Sequence, residues 1–106
     1  MKRINLENYK VNVITKEGII EVPYDIKGSI KNIIFDPALQ LNSIGLFESM
    51  NVWNLIKNEE KEVILEETQY NYIKKCMDIF KGYNVNDYEF VKRIQNAEDY
   101  EIKNIK

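Results

Sequence analysis

The chain has no covalent or metal staple to fold around. It holds one cysteine, Cys76, and no histidine, so an internal disulfide is impossible and a Cys/His zinc site lacks its ligands. Any stable structure must come from burying apolar side chains, and 106 residues suffice for one such core. Hydrophobic residues at 44% and charged residues at 30% furnish both a core and a solvated surface, which separates the chain from the disordered class. A single domain spanning 1–106 is the expectation.

Residues 9–15, from Tyr9 through Val11 and Val13 to Thr15, alternate apolar and polar side chains as a half-buried strand does. Lys16, Glu17 and Gly18 read as a turn, with Gly18 free to take a positive φ, and residues 19–24 resume the strand pattern. Pro23 has no N–H to give and belongs at the end or edge of that second strand. Gly28 and Ser29 offer a break and an N-cap before a short helix over 30–35, which Asp36 and Pro37 stop. Ser43 caps the next helix, over 43–58, where Ile44, Phe47, Met50, Trp53 and Ile56 recur every three residues and are read as one core-facing stripe. Val63, Ile64 and Leu65 suit a short strand or an extended entry to a third helix. That helix opens with Glu66 and Glu67 at its positive end, carries Tyr70, Ile73, Met77 and Phe80 on one side with Cys76 beside them, and ends at Gly82 as its C′ residue. Asn86 and Glu89 resemble a capping box for a fourth helix over 87–98, and the tail over 100–106 alternates like a strand returning beside the hairpin. The pattern predicts an α+β domain in which a small antiparallel sheet, built on the N-terminal hairpin, packs with three or four helices.

The same inventory removes several function classes. Without histidine, the usual general base near neutral pH and the commonest metal ligand are missing. Cys76 falls beside an apolar helical stripe, where a structural thiol is the natural reading and Lys74 and Lys75 are the only nearby groups to lower its pKa. The carboxylate pairs Glu59/Glu60, Glu66/Glu67 and Glu98/Asp99 are adjacent in sequence, diverge on a helix, and lack calcium-loop spacing. Gly18, Gly28, Gly45 and Gly82 are isolated, so no phosphate loop exists. No metal or cofactor is expected. A formal charge of -2 is too balanced for a polyanion-binding surface and too small for a nucleic-acid mimic. No apolar run reaches the ~20 residues of a membrane span, and no signal-peptide stretch is present, so a cytoplasmic protein with no membrane partner is expected.

Two groups of candidate binding residues remain. Tyrosines crowd the last third, and Tyr72, Tyr83, Tyr88 and Tyr100 are candidates for a partner surface, because a tyrosine ring gives contact area at little entropic cost. Lys74, Lys75, Lys81, Lys92 and Arg93 are candidates for a basic patch on the last two helices.

The run from Ile44, Gly45, Leu46, Phe47 and Glu48 through Asn54, Leu55 and Ile56, then Val63 to Glu67 and Tyr70 to Lys75, resembles a layout in small accessory proteins of tailed phages and prophages. There a helix, a short apolar-acidic hinge and a second helix with an Ile-Lys pair follow one another, here over about 44–81. The resemblance implies a protein that acts by binding, as an inhibitor of host defence, a virion component or an assembly factor in the host cytoplasm; it defines no catalytic residues. The leading expectation is therefore a non-enzymatic module that inhibits or assembles a protein partner. A nucleic-acid or nucleotide-ligand binder, a structural homo-oligomer and a histidine-free enzyme using Tyr, Glu or Lys stay open beside it.

Overall fold

Lys2, Arg3, Ile4 and Asn5 carry a single apolar side chain inward, yet they form the middle of the main sheet. In the computed structural model, which describes residues 1–100, β1 (Lys2–Asn5) lies between β4 (Glu62–Leu65) and β5 (Glu98–Asp99), antiparallel to both. Ile4 pairs with Val63, and Ile4, Leu6, Val63 and Leu65 are all buried against the helices. The amide of Leu6 donates to the carbonyl of Lys61 at 2.8 Å. Bonded pairs therefore continue as Ile4/Val63 and Lys2/Leu65, and Glu62 and Ile64 turn their N–H and C=O away from β1. On the open face Arg3 stands between Glu62 and Glu98 and pairs with both.

The hairpin forms as the alternation requires, with β2 (Tyr9–Thr15) paired to β3 (Gly18–Tyr24) and Gly18 at φ +118°. It is a separate two-stranded sheet, however, and β5 joins β1 rather than the hairpin; the expected strand beyond Tyr100 lies outside the described residues. The hairpin is anchored at its base and, through the Asn86 side-chain amide on the Asn12 carbonyl at 3.2 Å, at the middle of β2. Tyr9 and Tyr24 stack at 4.8 Å, and Tyr24 leans on the buried Phe90. The Tyr9 hydroxyl donates to the Asn86 carbonyl at 2.8 Å and accepts the Phe90 amide at 3.1 Å, while the Tyr24 hydroxyl donates to Asp87. Further out, Val13, Ile14, Ile19 and Ile20 are exposed. An isolated two-stranded hairpin is marginal in water, so these contacts are what tether it.

The four helices are α1 (Ile26–Ile34), α2 (Ser43–Ile56), α3 (Glu67–Ile79) and α4 (Tyr88–Gln95), with short 3-10 turns at Pro37–Leu39 and Val85–Asp87. Their starts differ from the sequence reading, and the reason is local. Asp25, not Ser29, caps α1, accepting the Gly28 amide at 3.0 Å, so the helix begins four residues earlier and Gly28 lies inside it. Asn42, not Ser43, caps α2 by accepting the Gly45 amide at 2.8 Å. The capping box expected at Asn86/Glu89 sits two residues upstream, where Asn84 accepts the Asn86 amide and Asp87 accepts the Asn84 amide, each at 2.8 Å. Asp and Asn outrank or match serine as N-caps because their side-chain oxygen reaches the N2 or N3 amide from an extended residue. α3 ends at Ile79 with Phe80 as its cap, so Gly82, at φ +102°, lies two residues beyond the cap rather than one.

The core joins Ile4, Leu6, Val63 and Leu65 of the sheet region to Ile26, Ile30, Ile33 and Ile34 of α1, Val52 and Ile56 of α2, Tyr70, Ile73, Cys76 and Met77 of α3, and Phe90 and Ile94 of α4. The α3 stripe is thus the expected one. Asn42→Ala is expected to lower the unfolding free energy by about 1 kcal/mol and Ser43→Ala by less than about 0.5 kcal/mol in urea titrations followed by circular dichroism. Equal losses at the two positions would contradict the cap assignment.

Candidate functional site

Of the stripe assigned to α2 from sequence, Ile56 enters the core and Trp53 packs against it, but Ile44, Phe47 and Met50 face outward. A three-residue step falls about 60° short of a helical turn, so four such steps carry a row from Ile44 to Ile56 about 240° around the axis. The side that packs is instead Gly45, Ser49, Val52 and Ile56, spaced i, i+4, i+7 and i+11, with Ser49 and Ile56 fully buried. Ser49 is what allows a polar residue at the centre of that line. The Ser49 and Tyr72 hydroxyls lie 2.6 Å apart and divide their two hydrogens between that contact and the carbonyls of Ile34, 2.7 Å from Ser49 Oγ, and Gly45, 3.1 Å from the Tyr72 oxygen. Every polar atom in this contact is satisfied, so α1, α2 and α3 close together without an orphaned group.

The consequence lies on the opposite side of the helix. Ile44 is 68% exposed, Phe47 69%, Leu46 49%, Met50 41% and Leu55 42%. Ile44/Phe47, Phe47/Met50 and Leu46/Met50 stand three or four residues apart and so adjoin on the helix surface. Trp53 continues the row half-buried, with the Lys31 ammonium 5.2 Å from its ring centroid. Glu48 is the one charged residue between Ser43 and Ile56. Single exposed apolar residues are ordinary, but a contiguous set such as Ile44, Leu46, Phe47 and Met50, bordered by the exposed Asn51 and Asn54, is the pattern of a surface that another molecule covers. Beside it, a groove of about 310 Å3 runs between α2 and α3, walled by Leu39, Leu41, Ile44 and Ile79 with Glu48 and Lys75 at its rim.

The tyrosine candidates are dispersed by the fold. Tyr72 is held inside the α2/α3 contact and has no free hydroxyl to offer a partner. Tyr83 folds onto Phe80 at 4.8 Å and donates to the Met77 carbonyl at 2.9 Å. Tyr100 is half-buried, its amide bonded to the Met1 carbonyl at 2.8 Å beside β1. Tyr88, 69% exposed at the start of α4, presents a more open ring than Tyr83, which is 38% exposed. The basic candidates do not converge either. Lys74 stands 5.5 Å from the Tyr70 centroid, as does Lys2, whereas Lys75 edges the groove beside α2. Arg93 is committed to Glu89, the Glu7 carbonyl and the Tyr9 ring. Lys81 and Lys92 are exposed, on the segment after α3 and on α4.

Burial pushes the Cys76 thiol above its ordinary value, the opposite of what activates a thiolate nucleophile. Among the described residues no three His, Cys, Asp or Glu side chains gather as metal ligands, and no helix is long and apolar enough to cross a membrane. Ile44, Phe47 and Met50 were visible in the sequence as a stripe; what the spacing hid was which side of α2 would be left open. No family model, curated protein or solved structure matches the chain.

Burial also raises the phenols of Tyr9, Tyr24, Tyr70, Tyr72 and Tyr83, with the bond to Asp87 adding to the effect at Tyr24. The fold thus favours their neutral forms. The stability they contribute is complete below the ordinary tyrosine value of about 10 and is lost as pH rises above it. The unfolding free energy is expected to fall from about pH 10 upward, and Tyr24→Phe, less stable at pH 8, is expected to show a shallower decline. Urea titrations from pH 8 to 11.5 measure both slopes; identical slopes would contradict the role given to Tyr24.

Proposed function

We propose that the chain is a non-enzymatic protein-binding module that inhibits or assembles a partner by packing against the outward face of α2. One observation carries this reading: Ile44, Leu46, Phe47 and Met50 are exposed together on a helix whose only charge is Glu48. Leaving such side chains in water forgoes about 25 cal/mol for each Å2 of apolar surface that a partner would cover. The likeness of residues 44–81 to accessory proteins of tailed phages supports a host or virion protein as the partner and the host cytoplasm as the place of action. In this reading the binding surface moves from the tyrosines of the C-terminal third to α2, because Tyr72 and Tyr83 spend their hydroxyls on internal carbonyls.

Affinity capture from a nuclease-treated host lysate, with bait mass recorded by light scattering, tests it. Wild type and Tyr88→Ala are expected to retain a stoichiometric protein that the Phe47→Ser/Met50→Ser double variant loses at least tenfold. Both side chains are exposed, so the double variant should unfold within about 0.5 kcal/mol of wild type, while Ile56→Ala on the buried side costs about 2–5 kcal/mol. Retention of the partner by the double variant would overturn the α2 surface. A wild-type dimer that the double variant converts to monomer would make the covering molecule a second copy and the protein a structural homo-oligomer.

A further inference from the structure

The main sheet has one edge that nothing on the described chain covers. β4 is an outer strand, and the parity set by Ile4/Val63 leaves the N–H and C=O of Glu62 and Ile64 directed away from β1. Among the described residues no backbone or side-chain group bonds to these four atoms. Alongside runs a groove of about 280 Å3 lined by Leu55, Glu59, Glu62, Val63 and Ile64. The free edge therefore comes with an apolar wall, Leu55 from α2, on the helix side of the sheet. Its flanks are acidic: Glu59, Glu60, Glu62, Glu66 and Glu67 outnumber Lys61 in this stretch, and after Arg3 pairs with Glu62 and the N-terminal ammonium with Glu67, a surplus of Glu59, Glu60 and Glu66 remains.

The other strand edges are blunted in part, although Ile19 and Glu21 of β3 share the outward parity of Pro23 and keep their own N–H and C=O there. Asn12 of β2 has its carbonyl occupied by the Asn86 amide at 3.2 Å. Asn12 therefore faces outward, and by the same alternation so does Pro23 on β3, which has no N–H to offer there. β5 is only two residues long. β4 carries neither a proline nor a cover.

We infer that the β4 edge is a strand-addition site for an extended segment of a partner protein in which apolar residues alternate with Lys or Arg. Backbone bonds to Glu62 and Ile64 give the pairing, one set of side chains enters the groove beside Leu55, and the other lies on the open face, toward whose ends the surplus of Glu59, Glu60 and Glu66 attracts a cation. A second copy of the chain is a poor occupant. The register that lets Glu62 and Ile64 of two copies exchange bonds about Val63 brings Glu60 toward Glu66 just beyond each end of the ladder. Like charges brought together across a pair of strands destabilise it. This inference rests on the reading of the chain as a protein-binding module but uses a surface other than the outward α2 face.

The test uses the full chain, isotope-labelled, with a capped eight-residue peptide alternating Lys and Val, its Glu/Val counterpart, and a Lys/Val version N-methylated on the amides of one edge. Expected are shifts centred on the Glu62 and Ile64 amides, binding at least tenfold tighter for the Lys than the Glu peptide, weakening with salt, and at least tenfold loss on N-methylation. Ile64→Pro removes only an outward N–H and is expected to abolish binding while unfolding cooperatively; if that variant fails to fold, the N-methylated peptide still decides. Equal binding of the acidic peptide, indifference to N-methylation, or a wild-type dimer that Ile64→Pro dissociates would each overturn the inference. Phe47→Ser/Met50→Ser is expected to leave peptide binding unchanged. Loss of binding in that variant would overturn the β4 site while leaving the α2 surface standing.

Discussion

Ile4 is fully buried on a four-residue strand that holds two others together, and the rest of the domain depends on that position. β1 pairs with residues 62–65 on one side and with 98–99 on the other, so three stretches that are remote in sequence must meet before the sheet exists. The helices then have a surface to close against: Ile4, Leu6, Val63 and Leu65 supply the sheet side of the core. Contacts so distant in sequence carry their loop-closure entropy before they return any burial. The hairpin, whose pairing is local, needs none of this to form its ladder but cannot persist without it. Its tyrosines find Phe90, Asn86 and Asp87 only where α4 has docked.

Between α1, α2 and α3 the deciding contact is polar. Ser49 and Tyr72 divide their hydrogens between each other and the carbonyls of Ile34 and Gly45, and this small-residue line lets the helix backbones approach where Phe47 or Met50 would hold them apart. A bonded buried network fixes one orientation among several that a helix apolar on more than one side would otherwise accept. The exposure of Ile44, Leu46, Phe47 and Met50 is therefore a consequence of how α2 is seated. The same rotation that buries Ser49 leaves them outside.

What the sequence made legible follows the strength of the local signal. The α+β class, the hairpin and the α3 stripe could be read because Tyr9 to Tyr24 alternate around Gly18 and because Tyr70, Ile73 and Met77 keep a true helical period. β1 could not, since one inward isoleucine among Lys2, Arg3 and Asn5 is no pattern until β4 and β5 flank it. The caps were misplaced by one to four residues because several Asx and Ser residues compete at each helix start, and only geometry shows which oxygen reaches an amide. On α2 an i+3 repeat looked like a face and was a spiral. The tyrosines failed as a site for a different reason: a hydroxyl that suits an interface equally suits an internal carbonyl, and Tyr72 and Tyr83 found one.

The treatment of strand edges ties fold to function. A small sheet with open edges invites pairing with whatever extended chain it meets, and proteins blunt such edges with proline, covering side chains, shortness or charge. Here the first three devices appear at β3, β2 and β5 in turn, and each blunts the stretch of edge it occupies against every partner alike. Charge works otherwise, because it repels one kind of strand and attracts another. β4, guarded by glutamates at both ends, is protected against its own copy and against acidic segments, while its donors, acceptors and the Leu55 wall stay available to a basic one. Selectivity of that kind is lost if the edge is capped and gained only if it is left open.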